Sequence, residues 1–100
     1  MSLQGFQRRY LKGQAHGLKP LVQVGKLGLT EGLAASVREA LDHHELVKVR
    51  FMDFKEEKKE LSATLAQRCG AELIAILGHQ ALLYRQNPDP EKRTVRLPSR

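Results

Sequence analysis

Gly25-Lys26-Leu27-Gly28 lies between a short β-branched run, Val22 to Val24, and Thr30, a residue type that opens helices. That combination suits a phosphate group. Glycines let a backbone approach a ligand without Cβ interference. The start of a helix offers N–H donors and the positive end of a dipole. Lys26 adds a full charge. GxxG alone recurs by chance, and the same glycines could serve only as a strand-to-helix turn. The surroundings favour chemistry: a strand before, a capped helix after, a lysine inside. A loop of this kind clamping a nucleic-acid backbone is the device of KH modules.

The flanking charge points the same way. Residues 1–26 carry Arg8, Arg9, Lys12, Lys19 and Lys26 with no acid. Residues 27–60 hold six bases and eight acids, and residues 61–100 six bases and three acids, for a net charge of +6. An acid-free basic segment beside a near-neutral body predicts one positive face directed at a polyanion. Lys48 and Arg50, alternating with Val47, Val49 and Phe51, extend that surface if their side of a strand is open. Otherwise they are an ordinary solvated strand face.

Other chemistry does not assemble. His43 and His44 are adjacent, so on a helix they point about 100° apart and cannot hold one metal as an i, i+4 pair would. Cys69 has no CxxC partner and falls on an apolar stripe, which marks a core thiol. Ser36 and Ser62 sit within helical patterns, not on a nucleophile elbow. "KEEKKE" reads as a solvated helix face, and no GxxxxGK[ST] occurs. Neither an enzyme, a cofactor, a metal nor a small-molecule substrate is expected.

One hundred residues with 41% hydrophobic and 28% charged content predict one small soluble domain. No apolar run nears the roughly 20 residues of a membrane span. Neither a secretion signal nor a basic helix with aromatic anchors is evident, and the single cysteine fits a reducing compartment. Cytoplasmic location, no membrane partner and a monomeric state are the expectations.

These residues need elements to position them. The pattern predicts a helix over residues 4–15 and, after Pro20, a strand from Leu21 to Val24. A helix capped by Thr30 then carries Leu33, Val37, Ala40 and Leu41. "LVKVRF" is a half-buried strand with a basic outer face. A third helix is expected over residues 53–70 with stripe Leu61, Leu65 and Cys69 and Gly70 at its end. "AELIAIL" reads as a strand covered on both faces. A turn and the strand "ALLYRQ" complete the order α-β-α-β-α-β-β. The fold class is α/β, a compact sandwich with a small mixed four-stranded sheet. Residues 1–86 form the domain, and residues 87–100 a basic, Pro-containing tail with a brief extended piece at Thr94 to Leu97.

"LKGQAHGLKPLVQVGKLGLTEGL", "EALDHHELVKVRF" and "LLYR" together resemble the YhbY family, also called the CRM (chloroplast RNA splicing and ribosome maturation) domain. The resemblance runs from about Leu11 to Arg85. It implies a fold similar to the C-terminal domain of translation initiation factor 3, and RNA as the ligand. It also implies a link to the precursor large ribosomal subunit, as in the single-domain bacterial members. Gly25, Lys26, Leu27 and Gly28 match the family's GxxG loop and its expected RNA contact. Lys12, His16, Lys19 and Pro20 match the motif before the first strand. In "CGAELIAILGHQALLYR" the chain departs from the β-branched run more usual in the family.

The resulting expectation is an RNA-binding protein that contacts ribosomal RNA in precursor large subunits. Its RNA-binding residues are Gly25, Lys26, Leu27, Gly28, Thr30, Arg8, Arg9, Lys12, Lys19, Lys48 and Arg50. The alternative is an adaptor docking mainly on ribosomal proteins or on another small structured RNA. With five aromatics in the chain, base stacking is expected to be secondary to phosphate contact.

Overall fold

The alternation in Leu46-Val47-Lys48-Val49-Arg50-Phe51 dictates the centre of the fold, because a strand with this pattern has one face that must be covered. A computed structural model of the chain describes residues 3–99. The first two residues of the expected domain and the last of the expected tail lie outside the described residues. The helices are α1 (Gly5–Gln14), α2 (Glu31–His44) and α3 (Lys58–Arg68). The strands are β1 (Val22–Val24), β2 (Leu46–Phe51), β3 (Glu72–Leu77) and β4 (Gln80–Tyr84), with 3-10 turns at Ala15–Gly17 and Pro90–Lys92. The element order is the expected α-β-α-β-α-β-β.

The sheet runs β1-β2-β4-β3. β1 and β2 pair in parallel, Val22 opposite Val49 and Gln23 opposite Arg50, and β4 is antiparallel to both β2 and β3. β4 therefore inserts between β2 and β3. The parallel pairing implied by helix-linked strands holds for β1 with β2, whereas β3 shares the direction of β2 without touching it.

Each face has its own core. Val24, Val47, Val49, Phe51, Ala81 and Leu83 meet Ala34, Val37 and Leu41 of α2 and Leu65 and Ala66 of α3. On the other face Leu46, Leu82 and Tyr84 pack beneath Leu11 and Ala15, with Val95 and Leu97 closing one side. The alternation of β2 thus hides Leu46 under the α1 segment and leaves Arg50 exposed on the same face.

One expectation is corrected. The third helix starts at Lys58, not at residue 53. Asp53 Oδ1 accepts the Phe54 N–H at 2.7 Å, and Phe54 takes a φ of 54°, so a local turn displaces the first helical residues. β3 has apolar residues in both cores, as expected of a strand covered on both faces. It is the edge strand, and all six of its residues are half-buried. Leu73 and Ile76 still serve one core, and Ile74 and Leu77 the other, which explains the continuous apolar run. Thr94 to Leu97, the expected brief extended piece, joins no strand, and the amides of Thr94 and Val95 are taken by a side chain.

That side chain is Glu45, fully buried at the end of α2 with a φ of 60°. Its Oε1 accepts the N–H groups of Thr94 at 2.6 Å and Val95 at 2.8 Å, and its Oε2 accepts that of Asn87 at 2.6 Å. The Glu45 carbonyl meanwhile accepts the Arg85 N–H at 2.9 Å. One residue thus fastens the C-terminal segment across the domain. Arg85 acts nearby as a second fastener. It pairs with Asp42 and donates to the carbonyls of Cys69 at 2.8 Å and Arg38 at 3.2 Å.

Candidate nucleic-acid interface

β1 ends at Val24 and the chain turns at once. Gly28 donates to the Gly25 carbonyl at 3.0 Å, which closes a turn with Lys26 and Leu27 at its tip. Gly28 has a φ of 69°, a left-handed conformation that favours glycine. A Cβ there would stand 3.5 Å from the Phe54 ring. At Gly25 no atom lies within 4 Å of a Cβ position, and the backbone is not left-handed. The two glycines therefore differ: Gly28 is required by the turn, and Gly25 leaves an open approach. Leu27 is 86% exposed at the tip, an unusual position for a leucine without a partner.

Thr30 caps α2, its Oγ1 accepting the Leu33 N–H at 3.0 Å, and the Thr30 carbonyl accepts from Ala34. The cap consumes one of the donors that a helix start leaves over, and the Glu31 and Gly32 amides remain without intrahelical partners. A shallow groove lined by Gln23, Lys26, Gly28, Thr30 and Gly32 leads to this helix end.

The register gathers further cations on the open part of the sheet. Gln23, Arg50 and Gln80 form one row across β1, β2 and β4, with Arg50 and Gln23 exposed. Lys48 lies two residues earlier on β2, beside Leu82, and its Nζ donates to the Leu18 carbonyl at 3.0 Å. That bond places Lys48 next to Lys19, which is itself exposed. Lys26, Arg50, Lys48 and Lys19 thus follow β1 and β2 from one end to the other.

The arginines of α1 are placed differently. Arg8 pairs with Glu72 at 3.1 Å and donates to the Leu73 carbonyl at 2.7 Å, fastening α1 to the edge strand β3. Arg9 and Lys12 are exposed on the same helix. Sequence reasoning missed Phe54, the ring beneath Gly28, and Glu45, the tail fastener. A glutamate between the end of a helical pattern and the start of a strand was the one available signal for the latter.

The Lys58 ammonium, 3.2 Å away from Nδ1, is the main cause holding His79 below the usual imidazole range. Burial pushes the Cys69 thiol up, which suits a core residue and not a nucleophile. His43 and His44 rings meet edge-on at 6.5 Å. Among the described residues no group of three or more His, Cys, Asp or Glu could hold a metal, and no helix is long and apolar enough to cross a membrane.

Known proteins resemble this chain in sequence and in fold. Residues 3–85 match the CRS1 / YhbY (CRM) domain family. The chain is 39% identical over 93 residues to a protein of Haemophilus influenzae named "RNA-binding protein", covering 92% of this chain and 91% of that one. It is 32% identical over 97 residues to "Probable RNA-binding protein YqeI" of Bacillus subtilis, covering 96% and 99%. The solution structure of a hypothetical Staphylococcus aureus protein, described as a candidate RNA-binding protein, superposes with a TM-score of 0.81 at 33% identity, covering 97% of this chain and all of that one. The motifs, the element order and these matches agree: the chain belongs to the CRS1 / YhbY (CRM) domain family.

Proposed function

We propose that this protein is a non-enzymatic RNA-binding domain that grips the phosphate backbone of ribosomal RNA in precursor large subunits. The observation that carries the reading is the open turn Gly25–Gly28 set against the start of α2, with Lys26 at its tip. A phosphate placed there meets backbone amides, the positive end of a helix and an ammonium group together. Arg50, Lys48 and Lys19 continue the contact along the sheet, and Arg9 and Lys12 attract RNA from α1. Relatives named for RNA binding support the ligand class. The family resemblance supports the ribosomal target.

The acid nearest the turn in sequence is Glu31, exposed in the first turn of α2. Its charge favours the helix and opposes the phosphate, so affinity depends on the lysine outweighing it. Since the grip is on phosphates, RNA affinity is expected to fall steeply with salt, by about 0.7 to 0.9 in log–log slope per phosphate neutralised. The protein acts as a cytoplasmic monomer in this reading.

Sedimentation of cell lysate through a sucrose gradient, at low and moderate salt, tests the assignment. Wild-type protein is expected at or just below the large subunit at low salt, and the Lys26→Glu variant at the top. Wild type remaining at the top at both salts would reject the ribosomal target. Co-sedimentation of both proteins at equal strength would favour docking on ribosomal proteins over the loop.

A further inference from the structure

The opposite end of β1 holds a second feature that the backbone grip does not use. A groove of about 370 Å³ opens between the turn after α1, the starts of β1 and β2, and the C-terminal segment. That volume lies at the lower end of small-ligand pockets, roughly 300–1000 Å³. Leu18, Leu21, Leu46 and Val95 give it an apolar lining, and His44 and Gln14 line it too. Leu18 is 36% and Leu21 52% exposed, two of the four large apolar side chains left in solvent among the described residues. The other two, Leu27 and Met52, lie at the GxxG end.

We infer that this groove receives one unpaired nucleobase of the bound RNA. The inference rests on the RNA-binding reading above and adds a base-specific contact to it. Three observations select the occupant. Lys19 and Lys48 line the groove and no acidic residue does, so it complements an anion that carries a flat apolar group. Lys48 spends one of its three donors on the Leu18 carbonyl, and the others can reach a flanking phosphate. The groove also continues the basic line of Arg50 and Lys26. Leu21 and Gly25 are four residues apart along extended chain, about 13 Å, which a single strand can span while contacting both. Leucines and an imidazole would sandwich the base, and the Gln14 amide and Thr94 would meet its polar edge.

Gly17 provides a plug. It lines the groove, its backbone is not left-handed, and no atom lies within 4 Å of its Cβ position, so Gly17→Leu fills the space without altering charge. Binding of oligouridylate is compared by fluorescence anisotropy with binding of the same backbone lacking bases. Wild type is expected to prefer oligouridylate by about tenfold. Gly17→Leu should lose that preference and keep its affinity for the abasic strand. Leu18 and Leu21 methyl resonances of wild-type protein should shift with oligouridylate and stay unmoved by the abasic strand, a readout that needs no variant. Equal affinity of wild type for both strands with unmoved methyls would overturn the base site and leave RNA binding standing. A preference retained in folded Gly17→Leu would also overturn it. Failure to bind either strand would overturn the RNA reading and this inference with it.

Discussion

The two ends of α2 are treated in opposite ways. At its start, Thr30 caps one amide and the adjoining Gly25–Gly28 turn stays open, with Leu27 and Lys26 in solvent. At its end, Glu45 bends into a left-handed conformation and commits both carboxylate oxygens to the amides of Asn87, Thr94 and Val95. Both places set a charged side chain beside backbone N–H groups. One is buried and its donors are consumed by the chain itself. The other is exposed, and its donors are the proposed contacts for a phosphate. Hydrogen-bonding capacity satisfied internally becomes stability, and capacity left at the surface is what the proposed phosphate grip would use.

Substitutions can break this contrast from either end. The largest stability effect is expected from Glu45→Ala, which strands three backbone amides or releases the C-terminal segment to water. Chemical denaturation should show a loss of about 2–4 kcal/mol. Hydrogen exchange at Thr94 and Val95 should quicken, while the amides of α2's first turn are unchanged. At the open end, Gly25→Asp puts a carboxylate where a phosphate is proposed to sit, without backbone strain. RNA affinity by anisotropy should fall about tenfold or more, with stability altered by less than about 0.5 kcal/mol. Gly28→Asp also introduces the charge but adds a left-handed aspartate, so about 1 kcal/mol of stability goes with it and Gly25→Asp is the cleaner probe.

Smaller changes sharpen the division. Thr30→Ala removes the cap and should cost about 1 kcal/mol in denaturation, with RNA affinity changed less than about twofold. Glu31→Gln should work in the reverse sense. It removes a repulsion from the proposed phosphate position, so RNA binding at low salt should tighten about twofold, while the helix loses a few tenths of a kcal/mol. A large loss of stability in Gly25→Asp, or of RNA affinity in folded Glu45→Ala, would dissolve the distinction between the two ends.

Much of this was written in local pattern. The alternation in Leu46–Phe51, the Thr30 cap, Gly70 after α3 and the element order are all short-range signals, and the structure follows them. Two cores lie on opposite faces of β2 because a period of two points Val47 and Leu46 in opposite directions. The GxxG turn was legible too, since it needs only residue types at fixed spacing between a strand and a helix.

Pairing across the sheet was not legible. Whether β3 sits at the centre or the edge depends on where β4 inserts, and the apolar run Leu73–Leu77 reads the same either way. Only the tertiary structure separated the cations into fasteners and a surface line. Arg8 turns to Glu72 because α1 crosses β3, whereas Lys48 is held by the carbonyl of Leu18, the residue before Lys19. Tertiary contact likewise made Glu45 a clasp, since its partners are 42 to 50 residues away. Sequence by itself determined which segments fold and which residue types stand ready, because those choices rest on neighbours along the chain. The fold decided which charges are spent and which remain, because that depends on partners brought together only by packing.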